Sequence, residues 1–519
     1  MKYFIASLHA IVVMLLAVTT VEAQRNKNRP DTSAYLEQPD RIEFLFEDND
    51  LSFTIINGAE NGLLVVKETS VRNAYGYGWV LYKLDQDLKT EWTKLLIVPF
   101  DYSFNGWDHY NGQFHLLFAS SPFNSEEFSI FQVDGLTAKV DEYKISTVFP
   151  INLSHFEVVD RSILLAGSVS YRPAVLTFDL DELKPRVIPG IYNGNSDLLD
   201  VYVNDAARFF TVTMLERTFE KRFTINFKSY SMDNKLLQSN VIIPGERRSV
   251  IDGAPTQFPG GVQYVAGAYS IKSPDYSRGL YLAKFESGQQ SYLKYINYSE
   301  LGNFFDYMGR KRRDRIEERI SRRREKGKKT RFSYRLLVHD IIQLEDQFLL
   351  IAEAYYPRYS NYNLGPYASG SGNGLATISG YKYTHALVVS FDKNGKRLWD
   401  HSFAIDDVVK TQLDKTVQVV AHEDRVELHY LEENVIRSKL VINNEVIEGN
   451  SYTPVRLSSE RDEFVIRDPE VEGLQHWYDD VLYAYGEQQI QHRLSERVKT
   501  KRDVFYINKV RYNTEELKK

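Results

Sequence analysis

The chain has 519 residues, of which 43% are apolar and 26% charged, a balance that excludes intrinsic disorder and supports a sizeable packed core. It contains no cysteine, which excludes disulfide staples, thiolate zinc sites, iron–sulfur clusters, cysteine nucleophiles and a cysteine-linked lipid anchor. The formal charge is −6, yet residues 310–331 hold 13 Lys/Arg against 4 Asp/Glu, a local +9 that leaves the remainder at −15.

The chain begins with a targeting pattern. Lys2 is followed by an apolar run from Phe4 to Val18, broken by Ser7 and His9, and then by the small-x-Ala site Val21-Glu22-Ala23. A transmembrane anchor needs about 18 or more uninterrupted apolar residues, so the expectation is a cleaved signal peptide over 1–23. The mature protein would then start at Gln24 and be periplasmic or extracellular, with no membrane span and no lipid anchor. Residues 24–38 read as a flexible leader.

Beyond the leader the pattern is strands. "RIEFLFE" at 41–47 and "LSFTII" at 51–56 open the series. A hairpin signature follows: "LYKLDQDLKTEW" at 81–92 aligns without a gap on "VVSFDKNGKRLW" at 388–399, with alternating apolar residues, Asp85 or Asp392 at the turn, and Trp seven residues on. Weaker copies lie at 130–143, 175–188, 226–239, 280–293 and 435–449, which makes seven. Each is preceded by a more apolar strand centred on Leu64, Leu116, Leu164, Phe210, Val265, Leu350 or Leu428, at steps of 52, 48, 46, 55, 85 and 78. A period near 50 with four short strands per unit matches a propeller blade of roughly 40–50 residues. The strands "DVLYAYG" at 480–486 and "DVFYINKVRY" at 503–512 complete the chain and suit ring closure by strands from both ends.

This series resembles the β-propeller repeats of the PQQ-like and WD-like families over most of residues 40–510. The PQQ-like repeat spaces Asp, Gly and Trp; the sixth unit alone keeps all three, as Asp392, Gly395 and Trp399. The resemblance therefore implies the fold and no cofactor. The expected architecture is all-β, a seven-bladed β-propeller over 39–519. Two all-β domains divided near residue 310 are the alternative.

The two long steps mark insertions. Residues 310–331 read as a helix between blades five and six, with Met308, Ile316 and Ile320 on one face, ion pairs Glu318–Arg322 and Glu325–Lys329, and a stop at Gly327. Residues 357–384 read as a Tyr/Gly-rich loop, a composition suited to adaptable contact. Blade strands alternate in direction, so both insertions should leave one face of the disc. They are expected to form a composite binding surface, with charge from Arg312, Arg313, Arg319, Arg322 and Arg323 and contact area from Tyr356, Tyr359, Tyr362 and Tyr367.

Catalytic patterns are sparse. "GSGNG" at 370–374 lacks the Lys and the helix of a phosphate loop. His422 and His429 are read as seven apart on one strand, facing opposite ways, and no metal site is expected. "EDND" at 47–50 reads as a turn before a calcium site. "WDHY" at 107–110 is the densest acid/base cluster and is expected in a loop. The leading expectation is an exported, non-catalytic binding or scaffold module for a protein partner or an anionic cell-envelope polymer, without nucleic-acid binding. The alternative is a polysaccharide lyase or hydrolase on the same scaffold. Intact-mass measurement of exported protein should show a chain starting at Gln24; a mature species that keeps residues 1–23 would contradict signal cleavage.

Overall fold

The structure, a computed structural model, describes residues 32–245, 247–256, 261–271, 274–360, 377–465, 471–494 and 499–513. The signal segment, Tyr362, Tyr367 and the 370–374 run lie outside these residues. Among the described residues the regular structure is β-strand, apart from short 3-10 turns and one α-helix, α1 (Arg310–Glu325).

The strands form antiparallel four-stranded units in chain order. Blade one is Asp50–Asn57, Leu63–Arg72, Tyr77–Leu84 and Thr90–Val98. Blade four is Ser196–Asn204, Phe209–Arg217, Phe223–Ser231 and Leu236–Val241, and blade five runs from Ser249–Pro255 to Gln289–Asn297. Blades two and three share one long strand, Val140–Val159, whose first part pairs with Ser125–Asp134 and whose second part pairs with Ser162–Val169. Blade six is built on Gln347–Ser360 and Thr377–Asp392, and blade seven on Arg425–Glu432 and Val435–Ile442.

All seven hairpins expected from the sequence are the third and fourth strands of blades one to seven. Among the described residues the strands nevertheless form one unit more than the seven expected. Glu472–Tyr478, Val481–Arg493 and Lys499–Tyr512 make an eighth blade, whose outer strand Arg41–Leu45 comes from the other end of the chain. That blade has no third-to-fourth-strand hairpin, because its two halves sit 450 residues apart in sequence, roughly (about nine periods of the repeat).

Each middle strand is apolar on both faces, and each face meets a different neighbour. In blade one, Leu64 and Val66 join Phe114, Leu116 and Phe118 of blade two, whereas Leu63 and Val65 join Trp477, Tyr483 and Phe505 of blade eight. Equivalent clusters lie between every successive pair of blades. The cluster between blades five and six spans the inserted helix, so the two-domain alternative does not hold. The fold is a β-propeller, and the cluster between blades eight and one closes its ring, with Phe53 stacked on Phe505 at 4.6 Å.

The recurrent aspartate has a structural role. Asp85 Oδ1 accepts from Asp87 N (2.9 Å) and Lys89 N (2.8 Å), and Asp392 Oδ1 accepts from Asn394 N (2.9 Å) and Lys396 N (2.8 Å). Asp134 and Asp179 tie their turns in the same way. The segment read as a leader joins the fold sooner than expected: Ser33 Oγ donates to Glu448 (2.8 Å), and Leu36–Glu37 pairs with Arg511–Tyr512.

Limited trypsin digestion should cut first within Arg310–Arg331, which is exposed and basic, and the two pieces should stay together in size-exclusion chromatography. Separation into two folded halves would contradict ring closure.

Candidate basic groove on one face

The insertion between blades five and six is bolted to the disc at both ends. Before the helix, Leu301, Phe304 and Phe305 are buried in the cluster between those blades. The Asp400 carboxylate accepts from Gly302 N (3.0 Å) and Asn303 N (2.7 Å), and Tyr307 stacks on buried His385 at 3.6 Å. Burial pushes His385 down to about 3, so it is neutral. Met308, Ile316 and Ile320 pack against the same cluster, as their spacing predicted. Gly327, at φ +63°, ends the helix: Lys328 N donates to Arg323 O (2.8 Å) and Gly327 N to Arg324 O (2.9 Å), the paired bonds of a left-handed glycine stop. The expected Glu318–Arg322 pair is present at 3.5 Å. Lys329 pairs with Glu300 (3.4 Å) rather than with Glu325, because the helix has ended before it.

Between α1, its return segment and blade five lies a groove of about 850 Å³. It is lined by Arg248, Arg278, Arg319, Arg323, Lys328, Lys329 and Arg331, with Tyr269, Ile271, Asn297 and Thr330, and no carboxylate is among the lining residues. Arg248 lies over the Tyr295 ring (4.2 Å) and Arg319 over Phe332 (5.1 Å), so aromatic faces hold both guanidinium groups in place. Burial pushes the Tyr295 hydroxyl up to about 12 and keeps it protonated beside these cations. The Thr330 side chain is 4% exposed, and its Oγ1 has no hydrogen-bond partner.

The five arginines singled out by sequence are divided by the structure. Arg319 and Arg323 line the groove. Arg313 pairs with Asp306 (3.1 Å), Arg322 with Glu318, and Arg312 is exposed outside the lining. Tyr356 and Tyr359 are exposed on the extended hairpin of blade six, where Arg335, the first residue of the strand after the insertion, sits opposite Tyr355. The two insertions thus leave the same face. Arg248, Arg278 and Thr330 escaped the sequence reading, since Arg248 and Arg278 belong to blade five and only folding brings them to the arm.

The first strands of the blades converge on the axis and carry a second group of titratable residues. Single-residue bulges recur in these strands, just before Gly106, His155, Asp200 and Asp252. Asp108 accepts from Val158 N of the next blade (2.6 Å), Asp252 from Val338 N (3.3 Å), and His155 Nε2 lies 3.3 Å from Asp200 Oδ1. Burial raises the Asp108 and Glu157 carboxyls, reinforced by their carboxylate neighbours, and pushes Asp252 up to about 7. Asp200 stays low despite burial because His155 bonds to it. Among the described residues no group of three or more metal-ligating side chains could hold a metal ion.

The 107–110 cluster lies in the strand Ser103–Tyr110, not in a loop. Asp108 and His109 therefore point to opposite sides, and His109 packs on Phe114 (4.8 Å), where burial pushes it down to about 4. The two do not form an acid/base pair. His422 lies in a turn and contacts Asp480 (2.6 Å), while His429 is buried beside Glu427 and Ser438.

No protein-family model and no curated protein matches the chain. Solved structures do match at low identity. The β-propeller domain of the Trilobed protease from Pyrococcus furiosus is 10% identical, with TM-score 0.35, over 77% of this chain and 94% of that one. The polysaccharide lyase Uly1 is 10% identical, with TM-score 0.40, over 91% and 100%. The Dos1 propeller is 7% identical, with TM-score 0.38, over 77% and 78%.

A raised carboxyl contributes stability below its unfolded value, and that contribution is lost as pH rises through its folded value. The contribution of Asp252 itself should therefore decline from about pH 4, the ordinary carboxylate range, through about 7, where it titrates, against the opposite trend of the buried neutral histidines His109 and His385. In thermal melts Asp252→Asn should flatten that decline; an unchanged pH profile would show that the carboxyl is ionised in the fold.

Proposed function

We propose that this protein is an exported, non-catalytic propeller that binds an anionic partner, an acidic protein surface or a polyanionic envelope polymer, in the basic groove. One observation carries the reading: seven cations line one hollow with no lining carboxylate. A local charge of this kind attracts polyanions, and the attraction weakens as salt screens it. Export rests on the signal pattern of residues 1–23. The carbohydrate-active alternative loses its main sequence support, because Asp108 and His109 face apart.

Two variants with the same charge change of −4 test the groove. Arg319→Glu/Arg323→Glu should elute from heparin-agarose at much lower salt than the parent. Arg315→Glu/Arg322→Glu, exposed on α1 and outside the groove lining, should elute close to the parent. Both should keep the parent's melting temperature within a degree or two, since exposed substitutions usually cost within about 0.5 kcal/mol. Equal elution of the two variants would mean that bulk helix charge, and not the groove, binds the polyanion.

A further inference from the structure

The face that carries the groove bears a second, repeated feature. Strands alternate in direction, so the turns between second and third strands and the connections between blades share that face. In each of the first five blades the second-to-third-strand turn presents an aromatic ring to solvent: Tyr75, Phe123, Tyr171, Phe219 and Tyr276. The first four are at least 73% exposed, and Tyr276 lies under Arg335 at 5.0 Å. The connections leading from blades one to four add exposed Phe100, Val148, Tyr192 and Ile243, and the connection from blade five is the basic arm. Among the described residues, the turns of the opposite face carry a single exposed large apolar side chain, Leu136.

At one of these turns the placement runs against the chemistry of the turn. Ser170–Tyr171 is a two-residue turn with both residues at positive φ, +50° and +63°. Such a turn favours Asn or Gly, and a bulky ring there costs backbone strain that persists where a function requires it. Cations flank most of the rings in sequence: Arg172 beside Tyr171, Lys221 after Phe219 (where Arg222 is paired with Glu220), Arg278 after Tyr276, and Arg358 between Tyr356 and Tyr359.

We infer that this face docks on an anionic lipid surface, with the aromatic tips entering the headgroup layer and the arm and groove meeting lipid phosphates. The inference keeps from the proposed function only that the groove binds anions, and it names lipid phosphate as the anion in place of the acidic protein or polymer. Isolated rings on separate turns, interleaved with Arg and Lys, match the interfacial composition of surface-bound proteins, and basic residues near an anionic bilayer add attraction that salt screens. A protein partner would call for a contiguous apolar core in the contact, whereas these rings are spread around the disc. A single glycan strand would follow one groove and leave most tips unused.

Co-sedimentation of the mature chain with vesicles of phosphatidylcholine, with and without phosphatidylglycerol, tests this. The parent should bind the phosphatidylglycerol vesicles and not pure phosphatidylcholine. Phe123→Ser/Tyr171→Ser/Phe219→Ser should lose vesicle binding by on the order of a hundredfold, from the apolar area no longer buried, while its heparin-agarose elution and melting temperature stay at the parent's. If the parent binds heparin but no vesicle, or if the triple variant binds vesicles as the parent does, the lipid inference is overturned and the groove reading stands. If the parent binds neither, both fail.

Discussion

Everything in this molecule depends on the need of one strand type for two neighbours. The second strand of each blade is apolar on both faces, as in Leu63–Leu64–Val65–Val66, all fully buried or nearly so. A free sheet would leave one of those faces in water at about 25 cal/mol per Å² of apolar area. Radial stacking in a ring satisfies every blade at once, and the ring closes only if the last blade meets the first. The borrowed outer strand Arg41–Leu45 and the Phe53–Phe505 stack accomplish that closure.

Polar bonds then set the blades in register without competing with the core. Asp108 and Asp252 each reach a main-chain amide of the following blade. Glu353, fully buried in blade six, contacts His339 (2.7 Å) and accepts from Thr416 N and Val417 N (2.8 Å each) at the approach to blade seven. These bonds lie near the axis or in the seams, where water is scarce and an unpaired donor is costly. The outer turns are held by their own aspartates and add seam bonds of their own, as where Trp92 Nε1 donates to Gly135 O (2.8 Å) and the Tyr264 hydroxyl to Lys393 O (3.1 Å).

The two faces are built differently. One face has short turns tied by Asp85, Asp134, Asp179 and Asp392, whereas the other holds the arm, the tyrosine hairpin and the exposed rings. The arm's orientation comes from Asp400, the Tyr307–His385 stack and the Ile316/Ile320 face together, so its charge is presented over blade five and not spread in solvent. A +9 segment without those anchors would sample many positions and form no groove.

Much of the architecture was legible in the chain. Period-2 alternation, the turn aspartates and the steps near 50 located the middle and outer strands of seven blades, because these signals depend on local backbone geometry. Met308, Ile316 and Ile320 likewise announced which side of the helix is buried, and Gly327 where it stops. The end strands at 41–47, 480–486 and 503–512 and their pairing across the ring were legible, but they were not counted as an eighth blade, because its outer strand is supplied by the opposite end of the chain and no local hairpin marks it. The 107–110 cluster was misplaced because a first strand near the axis is polar enough to read as a loop. The groove was only half visible, for Arg319 and Arg323 stand in the basic run, but Arg248, Arg278 and Thr330 become partners solely through the packing of the arm against blade five. Sequence alone determined the strands, their turns and the charge of the arm; the tertiary structure decided which residues of other blades that charge would meet, since ring closure brings together positions that no short-range pattern connects.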